Sequence, residues 1–388
     1  MNASRGSAVL AGVVTGIVGF TSAFAVVLTG LRAVGASDAQ AASGLLTVCL
    51  TMGAGCILLS WRYRMPITLA WSTPGAALLA GAALPAGGYP TAIGAFLVAG
   101  ALYVLTAVVR PLGRWVERIP AAVASAMLAG VLLTLCVQPF RALADQPAAV
   151  APVLVTWLVL LRFNRRWAVP GAFVVALLVI ALDGSLAGLA GMRLAPTLVW
   201  TTPAWDLPTV LAVGLPLYLV TMTGQNIPGV AVLGSFGYRA PLAPSLLYSG
   251  TATVATAGLG GFSINLAAIS AALAAGPEAH PDPDRRWIAG IAAGATYLAF
   301  GPLSAVIAAV SVAAPPGIIA AIAGVALIGA FAQSAGAALA DARHREAGAV
   351  TFVVAASGIA VGGVSAAFWA LVAGGLYLLV VRAGTVAR

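Results

Sequence analysis

The feature of this sequence that most limits its possible folds is a series of apolar stretches, each about as long as a membrane-spanning helix. A transmembrane α-helix needs about 20 predominantly apolar residues. Of the 388 residues, 61% are hydrophobic and only 7% are charged, whereas a soluble domain carries about 25% charged residues. About fourteen such spans would leave roughly seven residues for each connection. This composition predicts a membrane-embedded body with short loops and no soluble domain.

Charged residues, prolines and glycines divide the chain into fourteen predicted segments. The expected fold is therefore an all-α polytopic membrane protein. The segments are 8–31, 41–60, 65–83, 90–109, 119–137, 148–162, 168–188, 208–225, 241–259, 262–276, 287–308, 317–340, 347–361 and 364–381.

The arginines predict how these segments are oriented, because cytoplasmic loops of membrane proteins carry an excess of basic residues. With the N-terminus in the cytoplasm, sixteen of the 19 basic residues fall on the cytoplasmic side. They are Arg5, Arg62, Arg64, Arg110, Arg114, Arg118, Arg162, Arg165, Arg166, Arg239, Arg285, Arg286, Arg343, Arg345, Arg382 and Arg388. Arg32, Arg141 and Arg193 fall outside. The pattern predicts that both termini are cytoplasmic. Tryptophans near the predicted segment ends fit an interfacial belt; they are Trp61, Trp115, Trp167, Trp200, Trp205 and Trp287.

Two sequence matches at similar spacing suggest an internal repeat. The stretch 71–77 resembles 262–268, which lies 191 residues later, and 127–131 resembles 321–325, which lies 194 residues later. The matches predict two halves of seven segments each. Because seven is odd, the second half enters the membrane from the opposite side, and such inverted repeats are typical of secondary transporters.

The third segment is expected to be extended first and helical only in its second half, and the tenth is expected to contain a corresponding break. Pro74 disfavours helix at Thr73 and suits a first helical turn, while Ser72 or Thr73 can cap it. Three glycines precede Ser263 in the tenth segment. Irregular backbone inside a membrane lines cavities or is buried in protein, so the two breaks predict a substrate site. Close packing of helices through small residues is the alternative explanation.

The half-helices are expected to begin near Thr73 and Ser263 and to face each other at their N-termini. Two such termini present about one positive charge together, which suits a single carboxylate. Gln225 and Asn226 of the eighth segment are further candidates, although they could be helix caps in a cytoplasmic loop mouth. Thr21 and Ser22 could face the same cavity or bond to their own helix. The predicted substrate-binding residues are Phe20, Thr21, Ser22, Trp71, Ser72, Thr73, Gln225, Asn226, Phe262, Ser263 and Asn265.

Several classes of function are excluded by what the sequence lacks. Cys49, Cys56 and Cys136 lie in apolar stretches, too scattered for a disulfide framework or a zinc site. The two histidines, His280 and His344, lie in predicted loops, which argues against a histidine-based catalytic or metal site inside the membrane. The sequence contains no nucleotide-binding P-loop. We therefore expect a protein that is not an enzyme, has no cofactor or metal and binds no nucleic acid.

The sequence resembles the benzoate/proton symporter (BenE) family. The resemblance is carried by the runs 70–79, 221–229, 277–282, 286–287 and 365–369, which occur in the family's order. It implies a carrier of the bacterial inner membrane with the fold of uracil and sulfate transporters, in which segments three and ten each contain a short strand and a half-helix. That fold has a core domain (1–110 and 208–310) and a gate domain (111–207 and 311–388). Nucleobase carriers of this fold bind substrate through glutamates in segments eight and ten. Gln225 or Asn226, and Ser263 or Asn265, stand in those regions here, which argues against a nucleobase.

The leading hypothesis is secondary uptake of an aromatic monocarboxylate, benzoate-like, by proton symport with alternating access. A carrier of another small anion or of a nucleobase is the alternative, and a passive channel is a third possibility. The expected partners are the substrate, protons and the lipid bilayer. Related carriers often dimerise through the gate domain, so a homodimer stays open.

Overall fold

The computed structural model describes residues 5–109, 111, 120–190, 194–268, 270–361 and 364–386. Six residues of the predicted loops and interfaces lie outside the described residues: Arg110, Arg114, Arg118, Arg193, Arg388 and Trp115. The described elements are α1 (Arg5–Thr21), α2 (Phe24–Ala33), α3 (Asp38–Tyr63), β1 (Leu69–Trp71), α4 (Thr73–Ala80), α5 (Tyr89–Val108), α6 (Ala121–Asp145), α7 (Pro147–Phe163), α8 (Ala168–Leu182), α9 (Leu207–Ser235), α10 (Leu242–Thr256), β2 (Ile264–Leu266), α11 (Ala271–Ala275), α12 (Trp287–Phe300), α13 (Ser304–Ala313), α14 (Ile318–Ala340), α15 (Arg345–Ala356) and α16 (Ala366–Val386).

Eight helical stretches in the described part of the chain are long and apolar enough to cross a membrane. They are Gly6–Ala33, Asp38–Tyr63, Tyr89–Val108, Ala122–Asp145, Arg165–Leu182, Leu207–Ser235, Pro283–Ala313 and Ile318–Ala340. Pro147–Phe163 and Ala366–Val381 are shorter apolar helices. The predicted class, a mostly helical polytopic membrane protein, is confirmed at this level.

The half-helix α4 begins where its sequence predicts. The Ser72 hydroxyl accepts a hydrogen bond from the backbone N–H of Gly75 at 3.0 Å, and Pro74 occupies the first turn. Ser72 itself has extended backbone angles, because the residue that caps a helix lies just outside it. The chain therefore changes from strand to helix within two residues.

The second half-helix begins later than predicted. Residues 264–266 form β2, which pairs antiparallel with β1 so that Ala70 lies opposite Asn265. The ladder continues on both sides, since Ser72 N–H donates to the Ser263 carbonyl and Ala267 N–H donates to the Thr68 carbonyl, each at 2.9 Å. Helix α11 starts only at residue 271 and has five residues.

The prediction that a helix starts near Ser263 is therefore wrong, because this backbone is engaged in strand pairing. β2 begins 195 residues after β1, whereas the similar sequence stretches 71–77 and 262–268 begin 191 residues apart.

The helices pack in two groups. In the first group, α1 and α3 lie against α12, and α5 lies against α10. In the second group, α6 lies against α14 and α15, α7 against α8, and α15 against α16. The contact between α3 and α12 is backbone to backbone: a Cβ added at Gly53 would lie 2.8 Å from the Gly294 carbonyl oxygen. Larger residues there would separate the two helices.

Helix α9 is continuous past the predicted end of its segment at 225. It contains two wide π-helical turns, Val210–Gly214 and Met222–Asn226, each followed by a proline. A proline cannot donate to the carbonyl four residues before it. The Ala212 carbonyl therefore receives no hydrogen bond from Pro216, four residues later. It accepts a hydrogen bond from the Ser365 hydroxyl instead, at 2.8 Å. The wide turns thus let the prolines stay within the helix.

Candidate substrate site

The second π-helical turn of α9 lies against the strand pair. The side-chain oxygen of Asn226 accepts from Leu266 N–H at 3.0 Å, and that of Gln225 accepts from Ala268 N–H at 3.3 Å. Both amide side chains are buried, with 1% and 8% of their surface exposed. They lie inside α9 rather than in a loop mouth. They cap backbone N–H groups of β2 and of the chain just after it, rather than a helix end. Turns of this type occur frequently at functional sites.

The hydrogen bonds fix the orientation of both amides, because a backbone N–H can pair only with the oxygen end. The Asn226 Nδ2 lies 3.5 Å from the Met222 sulfur, so both ends of that side chain have protein partners. The Nε2 of Gln225 has no acceptor among the residues that the structure describes. Gln225 thus presents a neutral donor, whereas Asn226 mainly holds β2 in place.

Four hydroxyl groups connect the segments around this turn. Tyr103 OH lies 2.5 Å from Ser263 Oγ, Ser263 Oγ donates to Thr221 Oγ1 at 3.3 Å, and Thr221 Oγ1 lies 2.6 Å from Ser72 Oγ. All four side chains are buried. The network ties α5, β2 and α9 to the start of α4.

Ser72 and Thr221 carry one more hydroxyl proton than the hydrogen bonds that they donate. Ser72 Oγ already accepts from Gly75 N–H, and Thr221 Oγ1 accepts from Ser263. Ser72 and Thr221 share one bond between them but carry two hydroxyl protons. Within the described residues, no acceptor binds the second proton. One O–H of Ser72 or Thr221 therefore has no partner among the described residues.

Aromatic rings lie beside this N-terminus. Phe20, next to the break between α1 and α2, meets the Trp71 ring edge-on at 5.5 Å and stacks on Phe300 at 4.4 Å. Phe262 instead packs against Phe96, with the ring centroids 6.2 Å apart. The structure therefore brings Phe20 together with Trp71 and places Phe262 against α5.

The remaining predicted residues differ in their hydrogen bonding. The Thr21 and Ser22 hydroxyls donate to carbonyls of their own helix at 2.7 and 3.0 Å, which is the alternative that the sequence left open. Thr73 is half-buried at the first position of α4. The Asn265 amide donates to the Leu266 carbonyl at 2.7 Å, and its buried oxygen has no partner in the described part of the chain.

Two residues of the network, Tyr103 and Thr221, are absent from the predicted set. Both lie within apolar helices and are fully or almost fully buried. A buried tyrosine hydroxyl usually has a hydrogen-bond partner. Tyr103, in the middle of an apolar segment, therefore indicates a polar partner on another segment. Its partner, Ser263, lies 160 residues away and could not be read from the sequence.

The site consists of neutral groups. β1, α4, β2, α5 and α9 contain no Asp, Glu, Lys or Arg. What they offer is a set of donors: the amide Nε2 of Gln225, a hydroxyl of Ser72 or Thr221, and the positive end of the α4 helix dipole. Such donors can bind an anion without a permanent counter-charge.

Comparisons with known proteins agree with this architecture. The family model described as "Benzoate membrane transport protein" (BenE) matches residues 2–380. The inner membrane protein YdcO of Escherichia coli is 36% identical over 374 residues, covering 96% of this chain and 95% of that protein. The benzoate membrane transport protein of Acinetobacter baylyi is 28% identical over 371 residues, covering 95% and 93%.

Among solved structures, the transmembrane domain of a cyanobacterial bicarbonate transporter, BicA, has the same fold. Its TM-score is 0.60 at 16% identity, covering 96% of this chain and 98% of that one. The apolar helices and these relatives make the protein a multi-pass membrane transporter and not an enzyme. On the match over nearly its whole length, the chain belongs to the BenE family of benzoate membrane transport proteins.

Proposed function

We propose that this protein is a secondary active transporter that imports an aromatic monocarboxylate, benzoate-like, together with protons. The observation that carries the proposal is the group of neutral donors around the start of α4, next to the rings of Phe20 and Trp71. The family match and the printed name of the Acinetobacter relative support the substrate class. Proton symport rests on the resemblance to proton symporters.

The donors suit one carboxylate. The N-terminus of α4 contributes a partial positive charge of about half an elementary unit. Since α11 has only five residues and starts at residue 271, a second half-helix does not contribute an equal share of positive charge. The Gln225 amide and the free hydroxyl proton of Ser72 or Thr221 take that part. A monoanion fits this partial charge better than a dianion, which would bring a second uncompensated charge into a buried site.

We further propose the seven-plus-seven architecture with inverted halves. The helix packing supports the division into a core domain (1–110 and 208–310) and a gate domain (111–207 and 311–388), because each group packs mainly within itself. The wide turn of α9 and both strands then belong to the core domain. Alternating access would move this core past the gate domain. The same proposal includes cytoplasmic termini, from the arginine distribution, and leaves room for a homodimer through the gate domain.

Uptake into proteoliposomes tests this function. We expect labelled benzoate to accumulate when the outside is acidic and to equilibrate without accumulation when no gradient is imposed. A passive channel for the benzoate anion would add no accumulation to that seen in protein-free vesicles, where neutral benzoic acid diffuses across the bilayer along the pH gradient. Unlabelled benzoate should compete, while benzamide, which has the same ring and shape but no charge, should compete far more weakly.

The competition panel also separates the alternative functions. If sulfate or uracil competes better than benzoate, the substrate is another small anion or a nucleobase and not an aromatic carboxylate. Equal competition by benzamide and benzoate would contradict the anion site itself.

A further inference from the structure

An ion pair joins the two helix groups near the beginning of α1. Arg166 lies in a single 3₁₀ turn, Arg165–Trp167, between α7 and α8 of the second group. Its Nη2 atom donates to Oε2 of Glu278 at 3.1 Å. Glu278 follows α11, which packs on α1 and α12 of the first group. Within the described ranges of the chain, this is the one ion pair that connects the two groups.

The backbone around Glu278 is held in a fixed position relative to α11. Arg286, which precedes α12 and is buried, donates from Nη1 to the Ala275 carbonyl at 2.9 Å and from Nε to the His280 carbonyl at 2.6 Å. These two bonds clamp the chain on both sides of Glu278. Helix α11 ends at Ala275 and follows the stretch that the Gln225 side chain caps. A displacement of Glu278 is therefore transmitted to the candidate substrate site through one short helix.

The same two residues complete the wall of a cleft between the helix groups, which we call the α1 cleft. It encloses about 220 Å³ and is lined on the other sides by apolar residues of α1 and α11, among them Leu10, Val14 and Leu273. Because Arg166 and Glu278 belong to different helix groups, a movement that separates them widens this cleft.

We propose that the Arg166–Glu278 pair is a latch, which keeps the α1 cleft closed in this conformation and breaks when the core and gate domains move apart during transport. The latch rests on the proposed function, because alternating access is what requires this motion. Arg166 lies in the gate domain and Glu278 in the core domain. With the N-terminus in the cytoplasm, the latch lies on the cytoplasmic face, and its opening lets the substrate leave towards the cytoplasm.

The exposure of the two side chains determines how strong this latch is. Their side chains are 44% and 74% exposed, and an exposed ion pair is weak because water and salt screen its charges. Removing the pair should therefore raise the population of the open state about two- to fivefold. A latch of this strength favours the closed cleft without trapping the protein in one state, as a transport cycle requires.

The reaction rate of a cysteine introduced at Val14 with a thiol reagent measures the opening of the cleft. The background is the purified full-length protein with its three native cysteines replaced by serine. Glu278→Gln and Arg166→Gln should each raise the rate about two- to fivefold, because the rate follows the population of the open state. The variant with both changes should react no faster than either single variant, since the pair can be lost only once.

Arg165→Gln is the matched control for these variants. Arg165 lies in the same turn, is also exposed and forms no ion pair with the residues that the structure describes. Its replacement removes the same charge and should leave the reaction rate at the wild-type value. A control that reacts as fast as Arg166→Gln would assign the effect to net charge and overturn the latch.

Exchanging the two charges gives a second test. Arg166→Glu and Glu278→Arg should each raise the rate more than the neutral variants do, because like charges then face each other. The two changes together should restore the wild-type rate. In about 1 M salt, the wild-type rate should rise while that of Glu278→Gln stays the same, since salt screens only a pair that is present.

Wild-type rates in both Glu278→Gln and Arg166→Gln would overturn the latch, and so would effects that multiply in the double variant. Benzoate uptake by the same proteins in proteoliposomes separates this result from the proposed function. Unchanged rates together with proton-driven accumulation of benzoate contradict the latch alone. Absence of accumulation by the wild type contradicts the proposed function itself and, with it, the role of the latch in transport.

Discussion

Replacing Gln225 by glutamate separates the observed hydrogen bond of this side chain to the Ala268 backbone from the substrate contact that we propose for it. A glutamate keeps a carboxyl oxygen that can accept from Ala268 N–H, so the cap on the chain after β2 is retained. The Nε2 donor is lost and an oxygen takes its place. Gln225→Glu therefore changes what the site presents to a ligand while leaving the contact with the backbone in place.

The expected loss of affinity follows from the lost donor. A hydrogen bond to a charged group contributes about 1.5–3 kcal/mol. Losing it should raise the dissociation constant for benzoate roughly ten- to hundredfold. Repulsion between two carboxylates in a buried site adds to this loss whenever the introduced glutamate is ionised. A glutamate that takes up a proton regains an O–H donor, so binding to the variant should improve on acidification.

The measurement is equilibrium binding of labelled benzoate to the purified protein, with thermal unfolding recorded for each variant. Thr223→Val is the matched control, because Thr223 lies on the same turn and its hydroxyl donates to the Leu219 carbonyl of its own helix at 2.8 Å. We expect wild-type affinity from this control. Binding within about threefold of wild type by a stably folded Gln225→Glu would show that the Gln225 amide does not contact the substrate.

Three further outcomes are expected. Asn226→Ala should lower stability by about 1–3 kcal/mol, since it leaves a backbone N–H of β2 buried without an acceptor, and a thermal unfolding midpoint equal to that of wild type would contradict this role. Pro74→Leu should reduce benzoate binding more than Ser72→Ala does, because it disturbs the start of α4 itself; the opposite order would assign the binding to the hydroxyl alone. In a cysteine-free background, an impermeant thiol reagent added outside cells should label cysteine at Gly87 and not at Arg345, and the reverse labelling would invert the proposed topology.

The sequence predicted local features of the fold well where neighbouring residues determine them. The start of α4 follows from a capping serine and a proline two residues later, and the structure has both in those roles. The predicted segment at 208–225 was too short, because a proline at 228 reads as a helix terminator. The wide turn at Met222–Asn226 instead allows the helix to continue, and no local signal distinguishes these two outcomes.

Features that depend on distant partners were not predictable. The chain near Ser263 stays extended because it pairs with β1, so the expected helix start was displaced to residue 271. Gly260 has φ at +87°, and a Cβ added to it would lie 2.8 Å from the Cα atom of Gly44, which shows how tightly this stretch is held. Likewise, the hydroxyl groups of Ser72 and Ser263 were expected to be free for the substrate. Their protein partner, Thr221, lies on a third segment.

The pairing of β1 with β2 has a consequence for biosynthesis. The two strands are three residues long and start 195 residues apart, and a ribosome adds about 5–20 residues per second. β1 is therefore synthesised roughly 10 to 40 seconds before its partner strand. During that interval its backbone N–H and C=O groups are in an apolar segment without the ladder that later satisfies them, which is costly in lipid. Water or the insertion machinery must supply temporary partners, and the candidate substrate site is completed only after the second half has entered the membrane.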